Sequence, residues 1–223
     1  MTHSHSQTEQ NYLKALFNLS VFFTDGIPTN AIAETMKTKP SSVTDMIKRL
    51  SDKNLVLYTR YQGVKLSNSG KKEALSIIRK HRLWETFLVK KLGFKWDEVH
   101  DIAEQLEHIE SEKLIQKIDS FLGYPKTDPH GDPIPDKKGN FKRNTHPLLK
   151  DTALSKKVFM SGVVIHSSEF LKYLDKNGLN LGCKLEVLER NSFDNSHHIK
   201  VNGKKKIIIS NEVASNILVE ELK

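Results

Sequence analysis

The chain has 223 residues, 35 Lys and Arg against 27 Asp and Glu and a formal net charge of +8, enough length for two or three modules of ordinary domain size. Its one cysteine, Cys183, excludes an internal disulfide and a thiolate-rich zinc site, so any metal must be held mainly by nitrogen and oxygen. No apolar run approaches the roughly 20 residues that span a bilayer, and the polar stretch from Met1 to Gln10 has no signal-peptide core, so a soluble, cytoplasmic protein without a membrane partner is expected.

From the N-terminus, Tyr12, Leu13, Leu16, Phe17, Leu19 and Phe23 recur at helical spacing and predict a first helix of about 15 residues, ending before the Asp25-Gly26 turn signal. Asn11 falls near its start. A second helix is expected from Pro28-Thr29-Asn30 through Met36, and a third from Pro40, where proline is well tolerated. Short helix, tight turn and longer helix is the layout of a helix-turn-helix, whose second member enters the major groove. On that third helix Ser41, Thr44, Asp45 and Lys48 share one face, and Val43, Met46, Ile47 and Leu50 the opposite one. Leu55 to Leu66 then reads as two β-rich runs around a turn near Gln62-Gly63, the wing of a winged helix.

Over residues 25–72 nine Lys or Arg stand against four acids, a net of +5, which is the electrostatic footprint of a phosphate-binding surface. Ser41, Ser42 and Thr44 are expected at base edges or nearby phosphates, Lys48 and Arg60 at phosphate, and Lys39, Pro40 and Asp45 belong to the same surface. Winged helices also serve as protein-interaction modules, which is the alternative reading.

A long helix from about Ser69 to Lys91 follows, with His81 and Glu85 four apart on one face. The next helix is predicted to open at Trp96-Asp97-Glu98 and to run on through His108. At about 100° per residue, with His100 as zero, Glu104, Glu107 and His108 fall within about a third of the circumference. Val99, Ile102, Ala103, Leu106 and Ile109 form the apolar stripe on another side. Between Trp96 and Glu112 there are seven acids and no Lys or Arg, a repulsion that a cation would relieve. Carboxylates mixed with imidazoles suit a first-row divalent ion better than an all-oxygen cage does. A solvated acidic face with two incidental histidines is the alternative. A further helix, about Ser111 to Leu122, offers Leu114, Ile115, Ile118, Phe121 and Leu122 as an apolar face for core packing or dimerisation.

Gly123 to Pro147 is rich in Pro, Gly, Asp, Asn and Lys and reads as an irregular connection. Beyond it, Val158–Ile165, Lys184–Leu188, His198–Val201 and Lys206–Ile209 are strand candidates, interrupted by a short helix from Ser168 to Asp175. Asn202-Gly203 is a hairpin signal. The fold class expected is a mainly α N-terminal two-thirds, winged helix-turn-helix plus helical metal-binding and dimerisation domain, followed by a small SH3-like β-barrel. The boundaries are placed at 1–72, 73–146 and 147–223.

The succession of a winged helix, His81-x-x-x-Glu85, His100-x-x-x-Glu104-x-x-Glu107-His108 and Asp128-Pro129-His130-Gly131-Asp132-Pro133-Ile134-Pro135 resembles the diphtheria toxin repressor family of metal-dependent regulators. Pro40-Ser41-Ser42-Val43-Thr44 and Gly63-Val64-Lys65-Leu66 look most like its manganese-sensing branch, and the C-terminal module is similar to the SH3-like domain of the longer members. The resemblance implies one metal site from Asn11, Glu104, Glu107 and His108. It implies an ancillary site from His81, Glu85 and His100, completed by His166 and Glu169 ahead of and within the short helix of the β-module. Glu104 stands where the iron-sensing branch has a cysteine, and this harder ligand favours Mn(II), with Fe(II) also served and Zn(II) able to bind. Asn11 stands in place of an Asp or Met ligand, and Lys14 in place of a Glu of the shorter manganese sensors.

The function expected is a homodimeric repressor of metal-uptake genes, activated by Mn(II) or Fe(II) and bound to palindromic operator DNA. A metallohydrolase on the same carboxylate-histidine face, and a DNA-binding protein with a purely structural metal, are the alternatives. A hydrolase would need an open coordination position, a general base and a substrate pocket, and would leave the winged helix without a role.

Overall fold

A computed structural model describes residues 5–59, 62–142 and 144–222. They form α1 (Gln7–Leu19), α2 (Thr29–Thr35), α3 (Pro40–Asp52), β1 (Val56–Thr59), β2 (Gly63–Leu66), α4 (Asn68–Leu92), α5 (His100–Leu106), α6 (Glu112–Phe121), β3 (Lys157–Val163), α7 (Ser168–Asn177), β4 (Lys184–Arg190), β5 (His197–Val201), β6 (Lys205–Ile209), α8 (Asn211–Ala214) and β7 (Ile217–Glu221). No helix among the described residues is long and apolar enough to cross a membrane. Two compact units divide the chain: one holds the residues up to His81 with Gln105–Ser111 and Pro135–Phe141, the other Arg82–Glu104, Glu112–Ile134 and the chain from Lys142 on.

In the first unit α1 begins with a capping box. The Ser6 hydroxyl accepts from the Glu9 amide at 3.2 Å and the Ser6 amide donates to the Glu9 carboxylate at 2.9 Å, which satisfies two otherwise orphaned amides. Leu13 and Leu16 of α1, Ile32 of α2 and Val43, Ile47 and Leu50 of α3 are almost fully buried and make one core. Pro40 opens α3 at its first turn, where its missing amide costs nothing. β1 and β2 pair antiparallel, Val56 opposite Leu66 and Thr59 opposite Gly63. The loop before α2 joins them, since Ile27 and Val64 exchange two backbone hydrogen bonds of 2.9 Å. Gly26 makes this approach possible: its φ is +144°, and a Cβ there would lie 1.9 Å from the Gln62 carbonyl oxygen.

Where a small SH3-like β-barrel is expected, the second unit carries a five-stranded antiparallel sheet in the order β6-β5-β4-β3-β7, with β6 and β7 at its two edges and no pairing that closes it among the described residues. Met160, Val187, Ile199 and Ile217 from the sheet and Leu171 and Leu174 from α7 form its core, with Trp96 packed at the margin. Asn202 and Gly203, both with positive φ, turn β5 into β6 as the Asn-Gly signal predicts. β7 and α8 have no counterpart among the predicted elements.

One expectation is corrected. The helix predicted from Trp96 through His108 is only His100–Leu106; Trp96–Glu98 form a turn, and Glu107 and His108 follow the helix end. The turn has its own bonds: the Glu98 carboxylate accepts from the Lys95 amide at 2.9 Å, Trp96 donates to Asp175 at 3.1 Å, and Asp97 accepts from Ser168 at 3.3 Å. Local side-chain acceptors and the pull of α7 outweigh the acidic start signal. His100, Glu104, Glu107 and His108 therefore do not share one helical face.

Candidate metal centres and DNA-binding surface

Each unit holds a buried polar cluster. In the first, Glu107 is fully buried, and both its oxygens are taken by the Lys14 ammonium, at 2.7 and 2.9 Å. His81 Nδ1 stands 2.6 Å from the second oxygen, and His108 Nδ1 pairs with the Gln10 side-chain carbonyl at 2.7 Å. Burial by itself would raise the Glu107 carboxyl, but the His81 hydrogen bond and the Lys14 charge hold it below its ordinary value. Asn11, half-buried on the same helix, adds no charge. As a donor set for a metal ion this cluster fits poorly, because its one buried carboxylate is already neutralised by an ammonium.

The second unit contains a different arrangement. Glu85 of α4, Asp128 and His130 are all buried, and one donor atom from each lies within 4.8 Å of the others. The loop that carries the last two is built for this. Asp128 Oδ1 accepts from the amides of His130 at 2.8 Å and Asp132 at 3.0 Å, while the Arg82 guanidinium donates to Asp132 at 2.8 Å and to the Pro133 carbonyl. Gly131 presses the loop onto β3: with φ +91°, a Cβ there would lie 2.2 Å from the Ser161 carbonyl oxygen.

The imidazole of His130 decides what the cluster can hold. Its Nε2 donates to the Trp96 carbonyl at 2.8 Å, so in the neutral ring Nδ1 carries the lone pair. That Nδ1 has no hydrogen-bond partner and faces Glu85 Oε2 at 3.6 Å. A lone pair and a carboxylate facing each other across such a gap suit a shared cation. The negative charge around the ring attracts a cation, and a metal ion and a proton compete for the same Nδ1. Burial, then the nearby Asp132 and Glu85 charges, push the Asp128 carboxyl up to about 7, and although burial alone would lower it, His130 is raised by its Glu85 contact. These residues fit a first-row divalent ion, with one imidazole and two carboxylates and no thiol.

Other expected ligands border the cluster. His100 Nδ1 lies 3.6 Å from Glu85 Oε1, and its Nε2 3.7 Å from the half-exposed Glu104. His166 stacks on His130 with ring centroids 4.5 Å apart, Nε2 3.9 Å from Asp132; burial lowers its pKa to about 4. Glu169 is exposed in the first turn of α7, which Ser167 caps, a position where an acid also favours the helix dipole. In the sequence Asp128 and His130 stand out only as part of the Asp128–Pro135 motif. They sit in a loop without periodicity, and only the density of Asp, Pro, His and Gly around them is a signal.

On α3, Ser41, Ser42, Asp45 and Lys48 are exposed, as are Lys39 and Pro40 at its start. The Thr44 hydroxyl is committed to the Pro40 carbonyl at 3.0 Å. Arg60 lies outside the described residues.

Comparison with known proteins places these modules. Residues 5–64 match the iron dependent repressor N-terminal DNA binding domain, 67–136 the iron dependent repressor metal binding and dimerisation domain, and 148–221 the FeoA domain. A solved manganese-dependent transcriptional repressor in complex with manganese superposes with a TM-score of 0.85 at 33% identity, covering 96% of this chain and all of that one. The diphtheria toxin repressor of Corynebacterium diphtheriae is 26% identical over 228 residues, 96% of this chain and 97% of its own. The iron-dependent repressor IdeR of Mycobacterium leprae is 32% identical over 130 residues, so that the match spans about half, 55%, of that relative's length. The fold is thus a winged helix joined to a helical metal-binding domain and an FeoA-type sheet. The chain belongs to the diphtheria toxin repressor family of iron-dependent repressors.

Proposed function

We propose that this chain is a metal-activated transcriptional repressor of metal-uptake genes that acts in the cytoplasm as a homodimer on palindromic operator DNA. The observation that carries it is the buried set Glu85, Asp128 and His130, an N/O donor set with one donor atom from each within 4.8 Å of the others, in a chain that also presents a basic helix-turn-helix. We infer that these three residues hold the metal, with His100 and His166 at the margin. Glu107, His81 and His108 belong to the seat of α1. The modules act as 1–72 for DNA, 73–146 for metal and dimerisation, and 147–223 as the β-module.

Mn(II) is the expected activator. Carboxylate and imidazole donors accept Mn(II) and Fe(II), a solved relative carries manganese, and Zn(II) binds the same donors. The ion would supply positive charge among Glu85, Asp128 and the nearby Asp132. Arg82 orients the loop and Trp96 fixes the His130 tautomer. The chain is inferred to have no hydrolytic role, since its relatives are repressors; a phosphate-release assay with Mn(II) is expected to give no turnover.

The test is selection of bound duplexes from a random library with excess Mn(II), followed by titration of the selected site against Mn(II), Fe(II) and Zn(II) at fixed salt. Palindromic sites bound only with metal are expected, and Glu85→Gln should lose the dependence. Affinity that ignores all three ions would overturn the proposal.

A further inference from the structure

The first unit's cluster holds a cation already, and it belongs to the chain. Lys14 is one turn beyond Gln10 and Asn11 on α1, and its ammonium spans both oxygens of a carboxylate that solvent does not reach. A buried carboxylate must be paired or neutralised. Lys14 does that work with a charge tethered by four methylenes, and His81 adds a contact at 2.6 Å. A metal ion on the same oxygens would sit against the ammonium and would gain no charge from Asn11.

The seat of α1 matters for the DNA surface. Glu9, also on α1 and buried, pairs with Lys53 at 2.6 Å, and Lys53 is the C-cap residue of α3. The chain of contacts from Glu107 through Lys14 and α1 to Glu9 and Lys53 therefore ends on the recognition helix.

We propose that Lys14 replaces a metal ion at the seat of α1, so that each chain takes one metal, at Glu85, Asp128 and His130, and the α1–α3 arrangement is set without metal. This rests on the metal reading given above. It assigns Lys14 a positioning role: it holds α1, and through Glu9 it holds α3.

Equilibrium dialysis of the full chain with Mn(II) tests it. One Mn(II) per chain is expected at saturation, lost in Glu85→Gln and kept in Glu107→Gln. The double variant Asn11→Asp/Lys14→Glu, which restores two carboxylates and removes the ammonium, is expected to bind two. This gain does not depend on Glu107→Gln folding. Two Mn(II) in the unaltered chain with one lost in Glu107→Gln, or a double variant that still binds one, would overturn the inference. Retention of bound Mn(II) by Glu85→Gln would instead overturn the assignment of the second-unit cluster, so the two failures are told apart.

Discussion

Lys48 stands exposed on α3, on the face opposite Val43, Ile47 and Leu50. In the proposed docking Lys48 contacts phosphate, and its contribution would be release of counterions. Lys48→Ala is therefore expected to weaken binding to every duplex by a similar factor and to reduce the slope of log K against log salt by about 1, measured by fluorescence anisotropy at several salt concentrations. An unchanged slope would count against this docking. His197, 2% exposed at the start of β5, has its pKa lowered by burial and then by the Arg190 charge. The folded state thus favours the neutral ring. Its stabilising effect is present above the unfolded pKa of about 6.5 and is lost as pH falls through that value toward the lower folded one. Thermal melts between pH 7.5 and 5.5 should show less loss of stability in His197→Phe than in the unaltered chain, and parallel curves would refute the assignment.

At the scale of elements, the wing and the loop before α2 are held together by glycine. A side chain at Gly26 would require a rare backbone conformation and displacement of the Gln62 carbonyl. Gly26→Ala should cost about 2–4 kcal/mol of stability by denaturant titration. Because the Ile27–Val64 pair anchors the wing, DNA affinity should fall as well. The short α5 has the opposite lesson. Its seven residues are too few to be stable alone, and it is held by Val99 just before it and Ala103 within it, both fully buried.

For the whole molecule, a ligand that binds only the folded state raises stability by RT ln(1 + [L]/Kd), about 2.7 kcal/mol at a hundredfold excess over Kd. Mn(II) is expected to raise the melting temperature of the unaltered chain in a concentration-dependent way and to leave that of Glu85→Gln in place. Differential scanning calorimetry in a buffer free of chelators would check this. An equal shift in both would place the ion elsewhere.

Periodicity and local chemistry alone revealed much of this protein. The helix-turn-helix, the wing, the β-module and the Asn-Gly hairpin were legible because binary pattern and turn residues act within a few positions of each other. Glu85 and His100 could be proposed as ligands from residue type and helical spacing, whereas His166 entered only through the resemblance to the diphtheria toxin repressor family. The tertiary structure decided the rest. That Asp128 and His130 meet Glu85 depends on a loop closed by Asp128's own amide bonds and by Gly131 against β3, which no spacing encodes. Neither does spacing reveal that Lys14, 93 residues away in sequence, fills the place beside Glu107. Pairing across such separations is set by which side chains the packed core leaves facing each other, and the burial that makes those pairs strong exists only once the chain has folded.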